Sequence, residues 1–195
     1  MTYAKADPHD LLMSVSVTNA GPDADTLHVL PTAWYRNTWA WDEGAAKPEL
    51  RVQGEARLVT EHPFLGRLEI LSDRSPTVLF CENDTNVERL FGSPSATRYP
   101  KDGINDHVVD GQATVAADSG TKAAFWHRLT IAPGATATIR IPVSWALSSL
   151  TRIFHGRAAP YFSIAPQKEE GAGGSPGPSG PPVSFLRFRT PESGP

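Results

Sequence analysis

The sequence predicts an all-β protein, an antiparallel β-sandwich, on three observations. Residues 11–19 alternate apolar side chains with seryl and threonyl ones, the period of two that is typical of a half-buried strand. Several further short apolar segments follow, each bounded by Gly, Pro, Asp or Asn. Helical periodicity does not rival these segments in number. Two packed sheets are therefore the simplest architecture.

The strands follow in order along the chain. Turn-forming residues at 19–23 separate the first strand from a second at residues 26–30. Near the end of the series, Pro133-Gly134 predicts a turn that joins two antiparallel strands. The other predicted strands are residues 51–58, 67–71, 77–81, 107–109, 122–131 and 136–143.

One short helix interrupts the predicted strands. It covers residues 85–91, where Asp84 or Thr85 is the expected cap and Gly92 the expected end. A long irregular loop is predicted next, over residues 93–106. Because long loops on a rigid sheet often carry function, this loop is a candidate site.

The composition changes near residue 148. From Pro160 to the end, eight prolines and six glycines fall within 36 residues. Such a segment cannot form a core, so we expect residues 1–147 to be a partial sandwich domain and 148–195 to be a disordered tail. A frameshifted translation or a gene-model artefact would explain the tail, and a genuine alternative terminus is the remaining explanation.

Composition excludes several classes of function. The formal net charge is −3 and the pI is about 6.1, which indicate neither a nucleic-acid partner nor a membrane partner. The sequence shows no apolar run of membrane-spanning length and no signal peptide, so we expect a cytoplasmic protein. The single cysteine, Cys81, follows an apolar run, which favours a buried side chain over a nucleophile.

No motif for a cofactor or a metal is present. The six histidines are scattered without ligand spacing, so no metal site is predicted. There is no Gly-rich dinucleotide motif, no Walker loop and no serine-hydrolase elbow. We therefore predict no cofactor.

An aromatic segment at residues 34–41 is the densest chemical feature, since it holds three of the five tryptophans. Aromatic rings with polar tips serve either as anchors in a sheet core or as platforms for sugars. The sequence leaves both interpretations open.

A set of motifs occurs in order over residues 3–147, and together they resemble one family. The chain is similar to bacterial proteins related to mannosyl-oligosaccharide glucosidase, the glycoside hydrolase family 63-like group. The motifs are Tyr3-Ala-Lys-Ala-Asp7-Pro8, Thr18-Asn19-x-Gly21-Pro22, Leu27-His28-x-Leu30-Pro31-Thr32-x-Trp34-x-Arg36-Asn37-Thr38-Trp39, Glu82-Asn83-x-Thr85-Asn86-x-Glu88-Arg89-Leu90-Phe91-Gly92, Lys101-Asp102-Gly103-Ile104-Asn105-Asp106 and Gly120-Thr121-Lys122-Ala123.

The resemblance implies a multidomain parent. In that family a large N-terminal β-sandwich precedes an (α/α)6 domain that holds both catalytic carboxylates. This chain resembles the middle and end of the sandwich only, so we expect it to lack the front of the sandwich and the catalytic domain. No catalytic residue is assigned to it. The expected partners are an oligosaccharide and the missing (α/α)6 domain.

The candidate site combines two segments that we expect to face that domain and to help close its sugar site. Their substrate-binding candidates are Arg36, Asn37, Trp39, Trp41, Asp102, Asn105 and Asp106.

The two aspartates leave one alternative to weigh. Glycoside hydrolysis needs two carboxyl groups about 5–10 Å apart, and Asp102 and Asp106 could reach that spacing. A loop offers no rigid support for such a pair, so turns with Gly103 at positive φ are favoured.

Two functions from different classes remain. The first is a fragment of an oligosaccharide-processing glycosidase, and the second is a free-standing carbohydrate-binding or scaffolding β-module.

Overall fold

A computed structural model describes residues 1–41, 44–62, 65–146 and 161–168. These ranges hold two antiparallel sheets and two short helices. The elements are β1 (Thr2–Asp7), β2 (Asp10–Thr18), β3 (Asp25–Trp34), β4 (Glu49–Val52), β5 (Arg57–His62), β6 (Gly66–Leu71), β7 (Thr77–Cys81), α1 (Val87–Phe91), α2 (Gly103–Asp110), β8 (Ser119–Gly120), β9 (Lys122–Ile131), β10 (Thr136–Ala146) and β11 (Tyr161–Lys168).

The two sheets pack face to face, which confirms the predicted all-β antiparallel sandwich. The larger sheet has the order β1-β2-β10-β6-β5-β4-β8, and the smaller has the order β11-β3-β9-β7. Every strand pairing within the described ranges is antiparallel.

The core lies between the sheets and is built from alternating inward-facing residues. In β2, Met13 and Val15 are buried, whereas Ser16 is exposed, so the period of two in this strand is confirmed. Ile141 contributes from β10 of the same sheet, and Phe125 contributes from β9 of the other. Full burial of one such side chain stabilises the fold by roughly 1.5–3 kcal/mol.

The smaller sheet is buried on its outer face as well. Leu30, Leu79 and Ala124 form a second apolar cluster there with Ile104 of α2. Cys81 belongs to this cluster, which confirms that the thiol is buried. Burial raises the pKa of Cys81 to about 11, so the thiol is protonated at neutral pH and is a poor nucleophile.

The predicted turn at Pro133-Gly134 joins strands that do not pair with each other. It links β9 of the smaller sheet to β10 of the larger one. β10 pairs instead with β2, with Ile141 opposite Met13. A tight turn between two apolar strands suggests a hairpin locally, but here it carries the chain from one layer of the sandwich to the other.

Asn19 forms hydrogen bonds that join two connections between the sheets, the β2–β3 loop and the β9–β10 turn. Its side-chain amide donates to the carbonyl of Ile131 at 2.8 Å and to that of Asp23 at 2.7 Å. Its backbone N–H donates to the Ala135 carbonyl at 3.0 Å, and its carbonyl accepts from the Gly134 N–H at 2.8 Å. The β2–β3 loop and the β9–β10 turn are therefore held together by one residue.

The predicted strand at residues 51–58 is wrong, because this stretch contains the turn of the β4–β5 hairpin. The turn occupies residues 53–56, where Gly54 has a φ of 72° and Ala56 has a φ of 52°. The apolar pattern continues across the turn because Val52 and Leu58 lie opposite each other in the hairpin.

Helix α2 replaces the end of the predicted loop at 93–106 and the predicted strand at 107–109. Two helical turns are too few to show a helical period, and β-branched side chains favour strands locally. Ile104 and Val108 pack on the outer face of the smaller sheet, and this tertiary contact favours the helix.

Helix α1 lies within the predicted helical range, and its predicted end at Gly92 is confirmed by a φ of 68°. The cap differs from the prediction. Asn86 replaces Asp84 or Thr85 in that role, since its side-chain oxygen accepts from the Arg89 backbone N–H at 3.0 Å.

Of the predicted tail at 148–195, the structure describes Tyr161–Lys168, and the rest lies outside the described residues. This segment is β11, a strand that the sequence did not predict. It pairs with β3, with Tyr161 opposite Trp34 and Lys168 opposite Leu27. The pairing supplies hydrogen-bond partners along the second edge of β3.

His127 makes stability depend on pH. Burial, followed by the nearby charge of Arg74, lowers the pKa of His127 to about 4. Between about pH 6.5 and pH 4 the unfolded chain therefore binds a proton that the folded chain does not bind. Stability present at neutral pH is lost as the pH falls through this window, by up to about 3 kcal/mol.

The measurement is urea unfolding of the protein and of the His127→Gln variant at several values between pH 7.5 and pH 4.5. We expect the variant to lose less free energy of unfolding over this interval. Equal losses in the two proteins would show that His127 does not cause the dependence.

Candidate functional site

The site begins at a buried polar junction where β3, β7 and β9 end or begin. Thr121 has no exposed surface, and its hydroxyl accepts from the Asn83 backbone N–H at 2.7 Å while donating to Glu82 at 2.8 Å. The Asn83 side-chain amide donates to the Tyr35 carbonyl at 2.8 Å. The Tyr35 N–H donates to the Thr121 carbonyl at 3.2 Å. This Thr121 junction fixes where residues 36–41 and residues 84–89 leave the sheet.

A neighbouring glycine permits close backbone contact at this junction. A Cβ atom on Gly120 would lie 2.4 Å from the Cys81 carbonyl oxygen, closer than atoms can approach without a shift of the backbone. Gly120 therefore lets β8 and the end of β7 pass closely.

The aromatic segment divides between the core and the surface. Tyr35 is buried, and its hydroxyl lies 3.0 Å from Thr60 Oγ1. Trp39 packs partly buried against the main core. Trp41 is 65% exposed, and the Arg36 guanidinium lies 4.9 Å from its ring centroid. The core interpretation is therefore confirmed for Tyr35 and Trp39, whereas Trp41 lies at the surface, where the sugar-platform interpretation stays a prediction.

The next segment, residues 82–89, contacts the aromatic segment. Asn37 Nδ2 donates to Asp84 Oδ1 at 3.4 Å, and the same Asp84 oxygen accepts from the Thr85 N–H at 2.8 Å. Lys47 forms an ion pair with Glu82 at 2.9 Å. The carboxylates of Glu82 and Asp84 therefore already have donors.

Asp102 and Asp106 share one arginine. Arg89 of α1 lies 2.7 Å from Asp102 Oδ2 and 2.5 Å from Asp106 Oδ2, and its hydrogen bond to Asp106 raises the pKa of Arg89. Asn86 Nδ2 also donates to Asp102, at 3.1 Å from Oδ2. Asn105 is half-buried, with its Nδ2 3.5 Å from Asp106 Oδ1.

The predicted role of Gly103 is wrong. Gly103 is not at positive φ but begins α2, directly after Asp102. It is required for space instead, because a Cβ at this position would lie 2.2 Å from the Thr114 carbonyl oxygen.

The two predicted halves of the site are connected through residues that the sequence did not single out as ligands. Asp84 contacts Asn37 of the first half, and Asn86 and Arg89 contact Asp102 of the second. The sequence did mark this stretch, because Asp84, Asn86 and Arg89 all fall within the ordered motif at residues 82–92. Their side-chain partners, 13 to 47 residues away, could not be predicted from spacing.

The described residues contain neither a metal-ligand cluster nor a membrane-spanning helix. Within the described ranges, no three His, Cys, Asp or Glu side chains come together as a potential metal site. Nor does any described helix have the length and apolar character needed to cross a membrane.

Comparison with known proteins gives a distant relative. The chain is 25% identical over 164 residues to YMR196W of Saccharomyces cerevisiae, which is described as an uncharacterized protein. The match covers 69% of this chain and 15% of the yeast protein, so the chain spans a small part of that relative. No protein-family model matches the chain. No solved structure matches it.

Loss of the shared arginine should cost more than loss of an ordinary surface ion pair. Arg89→Gln leaves Asp106, whose side chain is only 8% exposed, without its cation, and we expect a loss of about 1–2 kcal/mol in unfolding free energy. The control is Arg51→Gln, which breaks an exposed pair with Glu49 and should cost less than about 0.5 kcal/mol. Chemical denaturation measures both losses. Equal losses would show that the Arg89 pairs with Asp102 and Asp106 stabilise the fold no more than an exposed ion pair does.

Proposed function

We propose that this chain is the β-sandwich part of an oligosaccharide-processing glycoside hydrolase of the glucosidase-like kind. It supplies a non-catalytic domain that packs on an (α/α)6 catalytic domain and shapes the sugar site there. The observation that carries the proposal is the convergence of three ordered family-like motifs at one edge of the sandwich. Asn37, Asn86 and Asp102 are specified positions of these motifs. Hydrogen bonds link Asn86 to Asp102, and link Asn37 to Lys101 of the third motif through Asp84, an unspecified position of the second.

The chemistry of this edge suits a sugar. Carbohydrates present apolar ring faces and hydroxyls, which aromatic rings and amide groups bind together. Trp41 offers an exposed ring, and Asn37, four residues earlier, offers a half-buried amide. A cytoplasmic location is part of the proposal.

The acid and base for hydrolysis belong to the other domain in this proposal. Asp102 and Asp106 both bind Arg89, so oxygens of both carboxyl groups are already engaged within the chain. Their role here is to hold α1 against α2, which in turn positions the segment that contacts Asn37.

A second function is favoured by one observation, the exposed Trp41 under Arg36. A free-standing carbohydrate-binding or scaffolding module would use such a ring without any catalytic domain. The genomic sequence after codon 149 distinguishes the two functions, because a helical, acidic and aromatic continuation in another frame supports the glycosidase fragment. A continuation rich in stop codons supports the free-standing module.

The test of the proposal is sugar release from short α-linked oligosaccharides by the purified chain and by a full-length homologue. We expect the homologue to release glucose or mannose and the chain to release none. Release by the chain would place catalytic groups within it and contradict the proposal.

A matched pair of variants in the homologue tests the surface. Replacing the residue equivalent to Trp41 with Ala should raise the KM by about tenfold, the effect of one lost stacking contact. The control is the residue equivalent to Leu90, which is also exposed but lies on α1. An unchanged KM in both variants would remove Trp41 from the sugar site.

A further inference from the structure

Arg36 and Trp41 form an exposed stacked pair at the candidate sugar surface. The guanidinium lies 4.9 Å from the indole centroid, and the ring is 65% exposed. A guanidinium placed over a ring by its central carbon still carries N–H donors that can bind a further group. The pair therefore presents N–H donors beside an open apolar surface.

Arg36 has no carboxylate partner among the described residues, unlike most arginines in that part of the chain. Arg67, Arg89 and Arg140 each bind a carboxylate. No hydrogen bond or ion pair to Arg36 is present among the described residues. The acidic residues at positions 42–43 follow it in sequence and lie outside the described ranges.

Two lysines at the same end of the smaller sheet also lack carboxylate partners among the described contacts. Lys122 Nζ donates to the Lys101 carbonyl at 2.6 Å, and Lys101 Nζ donates to the Thr85 hydroxyl at 3.1 Å. Lys122 is the strand partner of Trp34, two residues before Arg36. Two acids of the neighbouring segment are already engaged, since Asp84 accepts from Asn37 and Glu82 pairs with Lys47.

We propose that the Arg36–Trp41 surface binds an oligosaccharide that carries an anionic group, a carboxylate or a phosphate, with Arg36 as the contact for that group. This inference rests on the carbohydrate binding proposed above. Trp41 packs on the face of a sugar ring, and the in-plane donors of Arg36 bind two oxygens of the anion. Charge-assisted, paired hydrogen bonds of this kind are stronger than those to a neutral hydroxyl.

The experiment is calorimetric titration of the full chain with three trisaccharides of α-linked glucose. One is neutral, one has a terminal glucuronate and one has a 6-phosphate on its terminal residue. We expect the charged trisaccharides to bind about tenfold more tightly than the neutral one. A larger effect for glucuronate than for phosphate identifies the carboxylate as the natural group, and the reverse identifies phosphate.

Two variants locate the preference. Arg36→Gln should reduce the ratio of charged to neutral affinity to about one while the neutral trisaccharide still binds. Arg98→Gln is the matched control, because Arg98 also stacks on an aromatic ring, at 5.4 Å from Tyr99, and its removal should leave the ratio unchanged.

The outcomes separate this inference from the function on which it rests. Equal binding of all three trisaccharides overturns the anionic ligand and leaves carbohydrate binding standing. Absence of binding by all three overturns this inference and carbohydrate binding by the chain alone, whereas the glycosidase proposal is tested separately by sugar release from the homologue. A preference that survives Arg36→Gln overturns the assignment of the contact to Arg36.

Discussion

The candidate site at this edge of the sandwich depends on the Thr121 junction, where buried hydrogen bonds connect the ends of three strands. Thr121 accepts from the Asn83 N–H and donates to Glu82, and Asn83 in turn donates to the Tyr35 carbonyl. A buried polar group without a partner costs roughly 1–3 kcal/mol, so these groups stay in register together. Residues 36–41 of the aromatic segment follow Tyr35 directly, and residues 84–89, which contact them, follow Asn83 directly.

Burial of the smaller sheet on both faces explains why this edge carries so many polar contacts. One face packs on the larger sheet, and α2 covers the other through Ile104. Segments that leave the sheet at its end cannot turn back into either apolar layer without leaving backbone groups unpaired. They instead bind one another through side chains, and Arg89 is central because it pairs with Asp106 of α2 and with Asp102 directly before that helix.

The sequence predicted what depends on local pattern and failed where distant contacts decide. The period of two in β2, the burial of Cys81 and the end of α1 at Gly92 follow from neighbouring residues alone. α2 was missed because its eight residues are too few to show a period, and packing of Ile104 favours the helix. The site candidates could be named, but not their partners, since Arg89 and Asp106 are 17 residues apart.

Hydrogen exchange of the Thr121→Val variant tests the central role of the Thr121 junction most directly. The valine keeps the shape and removes the hydroxyl, so the Asn83 N–H loses its acceptor. We expect faster exchange at Asn83 and through residues 36–41 and 84–89, while exchange in the β2–β10 pair stays as in the unmodified protein. Unchanged exchange at Asn83 and in both segments would show that the junction does not hold this edge together.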